Sequence, residues 1–201
     1  MYYQLYYFFY NLGIFNLYYR KFTLKLSNNY TSFNHAFLSI CFLIYYFLYN
    51  QEETYNHIRG LSTGYFLFDL LFMIINKPLN LYYLSMIYHH IISIYGLNID
   101  SYCYQEYLLF FAEISNIPSY LVYHNIHTKG KNLLFWKNTQ VVVYNLIRVP
   151  VLGYLLYLNY FHTDSREIAY LITPVYFMGL SWSFTLISKT ENFFGLNKKN
   201  N

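Results

Sequence analysis

Apolar runs of near membrane-spanning length recur along this chain, separated only by short polar stretches, at about 2–19, 32–50, 61–76, 80–97, 104–124, 139–161 and 167–188. A helix needs roughly 17–25 mostly apolar residues to cross a bilayer core. In lipid every backbone N–H and C=O must be satisfied within the segment, so runs like these fold as helices. The pattern predicts an all-α, multi-pass transmembrane protein of seven helices. The run at 61–76 is short and contains Asp69, and the first run is rich in Tyr and Asn, so six spans is the fallback. No basic flank precedes the first run and no small-residue cleavage site follows it, so a retained helix is expected rather than a signal peptide.

Charge supports the same count. Only 11% of the 201 residues are charged, against about 25% in soluble domains. Mean hydropathy is a modest +0.20 because the chain carries 28 tyrosines, whose rings suit the membrane interface although hydropathy scales penalise them. Arg20, Lys21, Lys25, Lys77, Lys129, Lys131, Lys137, Lys189, Lys198 and Lys199 all fall on one side of a seven-span chain. The other side holds Arg59 and Arg166 together with Glu52, Glu53, Asp100, Glu106, Asp164 and Glu167. Cytoplasmic loops carry the excess of Lys and Arg, which predicts a lumenal N-terminus and a cytosolic C-terminus. The basic residues lie in short loops between spans, so the net charge of +4 is not a nucleic-acid signal. Cys41 and Cys103 offer neither a disulfide framework nor metal-ligand spacing. The sequon Asn29-Tyr30-Thr31 lies on the cytosolic side of this topology and is expected to stay unglycosylated. Lys198 and Lys199 resemble a dilysine signal that returns membrane proteins to the endoplasmic reticulum; a basic flank anchoring the last helix is the alternative.

Five ionisable residues fall near the middle of their spans: Asp69, His89, His90, Glu113 and Arg148. A charge at the centre of a span costs about 2.5–3.5 kcal/mol on insertion scales, so these groups are expected to face inward and pair. Either Asp69 or Glu113 is a partner for Arg148. Polar neighbours share their helix faces: Ser85 and Ser93 with His89, Asn116 with Glu113, and Asn145 with Arg148. Pro118, Pro150 and Pro174 are expected to interrupt spans five, six and seven, and irregular backbone is tolerated where it lines a cavity. An ion network that only fixes helix packing is one reading. A polar cavity is the other, with His89 on its wall and His90 behind it. An imidazole there can act as base, acid or nucleophile.

The order of these elements resembles the TLC domain. The resemblance rests on Asn34-His35-Ala36-Phe37-Leu38-Ser39, Ser62 to Asp69, Met86-Ile87-Tyr88-His89-His90-Ile91-Ile92-Ser93, Ala112 to Pro118, and Tyr144 to Arg148. It spans roughly residues 31–190, with 1–30 as an added N-terminal span and basic loop and 191–201 as a cytosolic tail. It implies six helices forming a barrel around a cavity, with His35 added to the polar lining. By likeness to ceramide synthases, it also implies acyl transfer from acyl-CoA, as substrate rather than cofactor, to a lipid amine, with His89 and His90 catalytic. Ceramide synthases carry an Asp-x-x-Asp pair where Glu113 and Asn116 stand here, so the chain is closer to the small TLC-domain-containing proteins. The expected function is lipid handling in the endoplasmic reticulum membrane. The partners are the bilayer and an acyl chain or lipid ligand, with no metal and no nucleic acid. The alternative is a non-enzymatic lipid sensor, chaperone or cargo receptor.

Overall fold

The computed structural model describes residues 2–78, 80–99, 104–162 and 166–191. Among them the chain forms seven helices and no strand: α1 (Tyr2–Tyr19), α2 (Leu24–Tyr49), α3 (Glu52–Asn76), α4 (Leu81–Leu97), α5 (Gln105–Thr128), α6 (Leu133–Phe161) and α7 (Arg166–Glu191). Cys103, Asp100, Asp164, Lys198 and Lys199 lie outside the described residues.

Local chemistry sets the helix ends. Thr23 caps α2 by accepting from the Leu26 amide, so α2 begins well before its apolar run. Asn50, with φ of 48°, closes α2 in the left-handed conformation that asparagine tolerates. Asn80 caps α4, its Oδ1 accepting from the Tyr83 N–H at 3.0 Å. The three internal prolines behave differently from the expected interruptions: the helices run on through Pro118, Pro150 and Pro174. Only at Pro150 does the register change. Proline has no N–H to donate, and Ile147–Val151 widens into a π turn in which the Leu152 amide reaches the Ile147 carbonyl. The Val149 carbonyl accepts from the Tyr176 hydroxyl at 2.9 Å.

α2, α3, α6 and α7 are each long and apolar enough to cross a membrane. α4 has only 17 residues, and polar side chains dilute α1 and α5. Exposure is inverted relative to a water-soluble protein. Phe184 is 72% and Ile75 68% exposed, whereas His35, Ser39, Ser62 and Ser115 are at 0%. Large apolar groups facing outward around a polar interior are the arrangement that lipid favours.

Neighbouring helices follow one another in a closed order: α2 packs on α3, α3 on α4, α4 on α7, α7 on α6, α6 on α5, and α5 back on α2. The loops are short, so consecutive helices alternate in direction. One end of the bundle gathers the basic loops. There the Asn29 amide donates to the Tyr120 carbonyl at 3.2 Å and Tyr30 bonds His124 at 2.8 Å. At the other end Asn98 donates to Thr63 Oγ1 and accepts from Gln4, each at 3.1 Å. An apolar cluster of Leu43, Ile58, Tyr65, Phe66, Phe68, Leu97 and Leu109 ties α2 to α5 together.

α1 stands outside the ring against α3 and α2. Its seat is Gly60-x-x-x-Gly64 on α3, a pattern of small residues that lets two helix backbones approach. A Cβ built at Gly64 would lie 2.6 Å from the Phe8 amide nitrogen. The Tyr7 hydroxyl bonds His57 Nδ1 at 2.9 Å, fixing α1 along its length.

Candidate functional site

The helix ring holds a half-open cavity of about 590 Å³. Its wall changes character along the bundle axis. Leu97, Leu108, Leu109, Leu152, Leu156 and Ile172 line the part away from the basic loops, with Gln105 and Ser93 among them. Asp69, His89, His90, Glu113, Asn116 and Arg148 occupy mid-depth, and Tyr82, Ser119, Tyr120, Gln140 and Trp182 line the basic-loop end. Seven alternating helices bring this about. Residues close to the loops on α4, α6 and the last turns of α5 and α7 meet at one end, while the Leu-rich turns meet at the other.

His90 and Asp69 form the tightest pair, with Nε2 and Oδ2 3.0 Å apart across the α3–α4 seam. Asp69 Oδ1 also accepts from the Asn28 amide at 3.1 Å. His90 Nδ1 donates to the Met86 carbonyl one turn back at 2.8 Å. Both partners of the ring are acceptors, and a neutral imidazole carries a single N–H. The pair therefore holds a second proton between Nε2 and Oδ2, as imidazolium with carboxylate or as imidazole with carboxylic acid. In either form neither nitrogen of His90 offers a free lone pair. His89 differs: it lines the cavity and its buried Nδ1 has no hydrogen-bond partner.

Behind this layer lies a second polar cluster. His35 is fully buried, its ring stacked on Tyr65 with centroids 4.0 Å apart. His35 Nε2 faces the hydroxyls of Ser39 at 3.1 Å and Ser62 at 3.3 Å. Its Nδ1 stands 3.8 Å from Glu113 Oε1, beyond hydrogen-bond length, and Glu113 Oε2 has no partner.

Arg148 is positioned by the π turn of α6 and reaches across to α5. Nε donates to Ser115 Oγ at 2.9 Å, and Nη2 to Asn116 Oδ1 at 3.0 Å and, at 3.5 Å, to the Ala112 carbonyl. The guanidinium carbon lies 5.1 Å from the centre of the Tyr144 ring. The expected ion pair with Asp69 or Glu113 does not form: Asp69 is engaged by His90 and Asn28, and Glu113 faces His35. The wider π turn and the reach of the arginine chain aim it at one face of α5, where neutral acceptors hold it.

Of the residues expected on the cavity wall, Asp69, His89, His90, Ser93, Glu113, Asn116 and Arg148 are there. Three are not. His35 is sealed behind Tyr65, Ser85 turns back to donate to the Tyr82 carbonyl at 2.7 Å, and Asn145 donates to the Val141 carbonyl at 2.7 Å. A shared face along one helix does not settle which part of that face the neighbouring helices cover. Asn28 was missed because it precedes the apolar run, in a polar stretch that the Thr23 cap turns into helix. Tyr82, Tyr120 and Trp182 carry no sequence signal that separates them from the other aromatics of the chain.

Among the described residues no three His, Cys, Asp or Glu side chains converge as a metal site. No family model, curated protein or solved structure matches this chain.

Proposed function

We propose that this is a seven-span TLC-type membrane protein that takes an amphiphilic lipid into its helix ring. The observation that carries the reading is a cavity of about 590 Å³ lined mostly by leucines at one end, with Gln105 among them, and carrying its ionisable groups at mid-depth. Such a gradient matches a molecule with a tail and a head, and the volume lies within the usual range of ligand sites, roughly 300–1,000 Å³. The closed succession of six helices, with α1 outside, supports a barrel with one added span. On this reading the basic loops face the cytosol.

The chemistry that fits the site is acyl transfer to a lipid amine. His89 accepts the proton as the amine nitrogen attacks the acyl-CoA carbonyl, and it returns that proton to the sulfur as the C–S bond breaks, so that CoA leaves as the thiol. The His90–Asp69 pair holds α4 in place beside it. A non-catalytic lipid sensor or carrier is the second reading, favoured by how completely His90 is engaged by Asp69 and Met86.

Lipidomics of membranes expressing wild type, His89→Ala or empty vector, with expression matched, tests this. A lipid class that changes with wild type and reverts with His89→Ala is the expected result. The same change in both proteins overturns catalysis by His89 and leaves the carrier.

A further inference from the structure

Arg148 is held from one side only. It is 8% exposed and lies on the cavity wall. Ser115, Asn116 and the Ala112 carbonyl occupy Nε and Nη2. Among the described residues the two N–H groups of Nη1 have no hydrogen-bond acceptor, and no carboxylate lies within ion-pair distance of the guanidinium. All of its hydrogen-bond acceptors are neutral; Glu113, beside them on α5 and in the same wall, feels its charge without forming an ion pair with it. A buried guanidinium without a direct ion-pair partner is costly, and both N–H groups of Nη1 remain to donate to an anion. The partnerless buried Nδ1 of His89 lies in the same wall.

The space around Arg148 limits what can bring the anion. The cavity's volume of about 590 Å³ is in the range of sites that take one small ligand, roughly 300–1,000 Å³, which suits a single alkyl chain with its head. From Arg148 the wall turns apolar through Leu152 to Leu156, about 12 Å further along α6 at helical rise.

Resting on the carrier form of the lipid-handling reading above, not on acyl transfer to an amine, we propose that the cavity is a binding site for a single-chain anionic amphiphile. Its head, a free carboxylate or a phosphate monoester, docks on Arg148 Nη1, and its tail runs past Leu152 and Leu156 toward the end away from the basic loops. Charge, not only greasiness, then selects the ligand. A fatty alcohol or amine of equal chain length leaves the arginine unpaired and binds weakly.

The test uses the full chain in phosphatidylcholine nanodiscs with diazirine-bearing palmitic acid, and the matching diazirine alcohol and amine. Labelling of peptides from α4, α5 and α6 is read by mass spectrometry. In wild type the acid is expected to label at least about tenfold more than the alcohol or amine at equal concentration. Arg148→Gln should abolish that preference and Arg148→Lys retain part of it. Leu156→Trp, which fills the tail path and leaves the arginine alone, should lower labelling by all three. Because the acid-to-alcohol ratio is read within wild type, the result does not depend on how Arg148→Gln folds. Competition by a single-chain phosphate monoester against palmitate ranks the two heads, the stronger competitor being the docked one. Equal labelling by acid, alcohol and amine overturns the anion site while leaving a lipid cavity. No labelling of the cavity by any of them overturns both.

Discussion

Replacing Gly64 by alanine adds one methyl group where α1 crosses α3, and the structure specifies what it meets. The new Cβ lies 2.6 Å from the Phe8 amide nitrogen, 2.8 Å from the Tyr7 carbonyl carbon and 2.9 Å from the Gln4 carbonyl oxygen. All three are backbone atoms of α1, so no rotamer change relieves the clash and the whole helix must move. Overpacking of this kind costs about 1–3 kcal/mol, and the rigid neighbours place Gly64→Ala at the upper part of that range. For a chain of this size each kcal/mol is worth about 2–4 °C in Tm, giving an expected drop of roughly 5–12 °C. The Tyr7–His57 bond should be lost with it. Gly13, on the same helix α1, is the internal control: a Cβ there meets nothing within 4 Å, so Gly13→Ala should leave Tm unchanged within about 2 °C. Thermal unfolding in detergent by near-ultraviolet circular dichroism measures both variants. If Gly64→Ala unfolds with wild type, or if Gly13→Ala falls as far, the close helix crossing is not what seats α1.

Asp69→Asn should destabilise the protein by about 3–5 kcal/mol, because it leaves the buried His90 without its ion-pair partner. Asp69→Asn/His90→Gln should cost less than the sum of the single changes, and additive unfolding free energies would refute the coupling. Asp69→Asn and Arg148→Gln should by contrast add within about 0.5 kcal/mol, since they share no partner; a strong coupling would mean that they meet after all. Pro150→Ala should restore an ordinary α turn in α6, rotating Arg148 away from Ser115 and Asn116. Its expected signature is a well-folded circular dichroism spectrum with several-fold weaker palmitic-acid labelling, and unchanged labelling would show that the π turn does not set the arginine. Asn29 should carry no glycan on either side of a membrane, because its amide donates to the Tyr120 carbonyl between α2 and α5; an endoglycosidase-sensitive mass shift lost in Asn29→Gln would overturn that placement.

Apolar runs were enough to count seven helices and to place most of their ends, although α2, α3 and α6 begin at Leu24, Glu52 and Leu133, well before their runs. A helix that meets lipid must be apolar where it meets it. That property is written locally. The polar layer was legible for a similar reason: a charge in the middle of an apolar run is costly wherever the run lies, so Asp69, His89, His90, Glu113 and Arg148 stand out one by one. Their partners were not legible. Asp69 chose His90 over Arg148, and Arg148 settled on Ser115 and Asn116, because helix order around the ring and a π turn at Pro150 set which faces meet. The removal of His35, Ser85 and Asn145 from the cavity wall has the same origin. So does the seat of α1, since Gly60 and Gly64 become a contact only when a second backbone lies on them. Helix identity and burial depth follow from short-range sequence, because the solvent acts on each segment separately. Pairing, register and cavity shape depend on several segments at once, and only the packed structure brings those together.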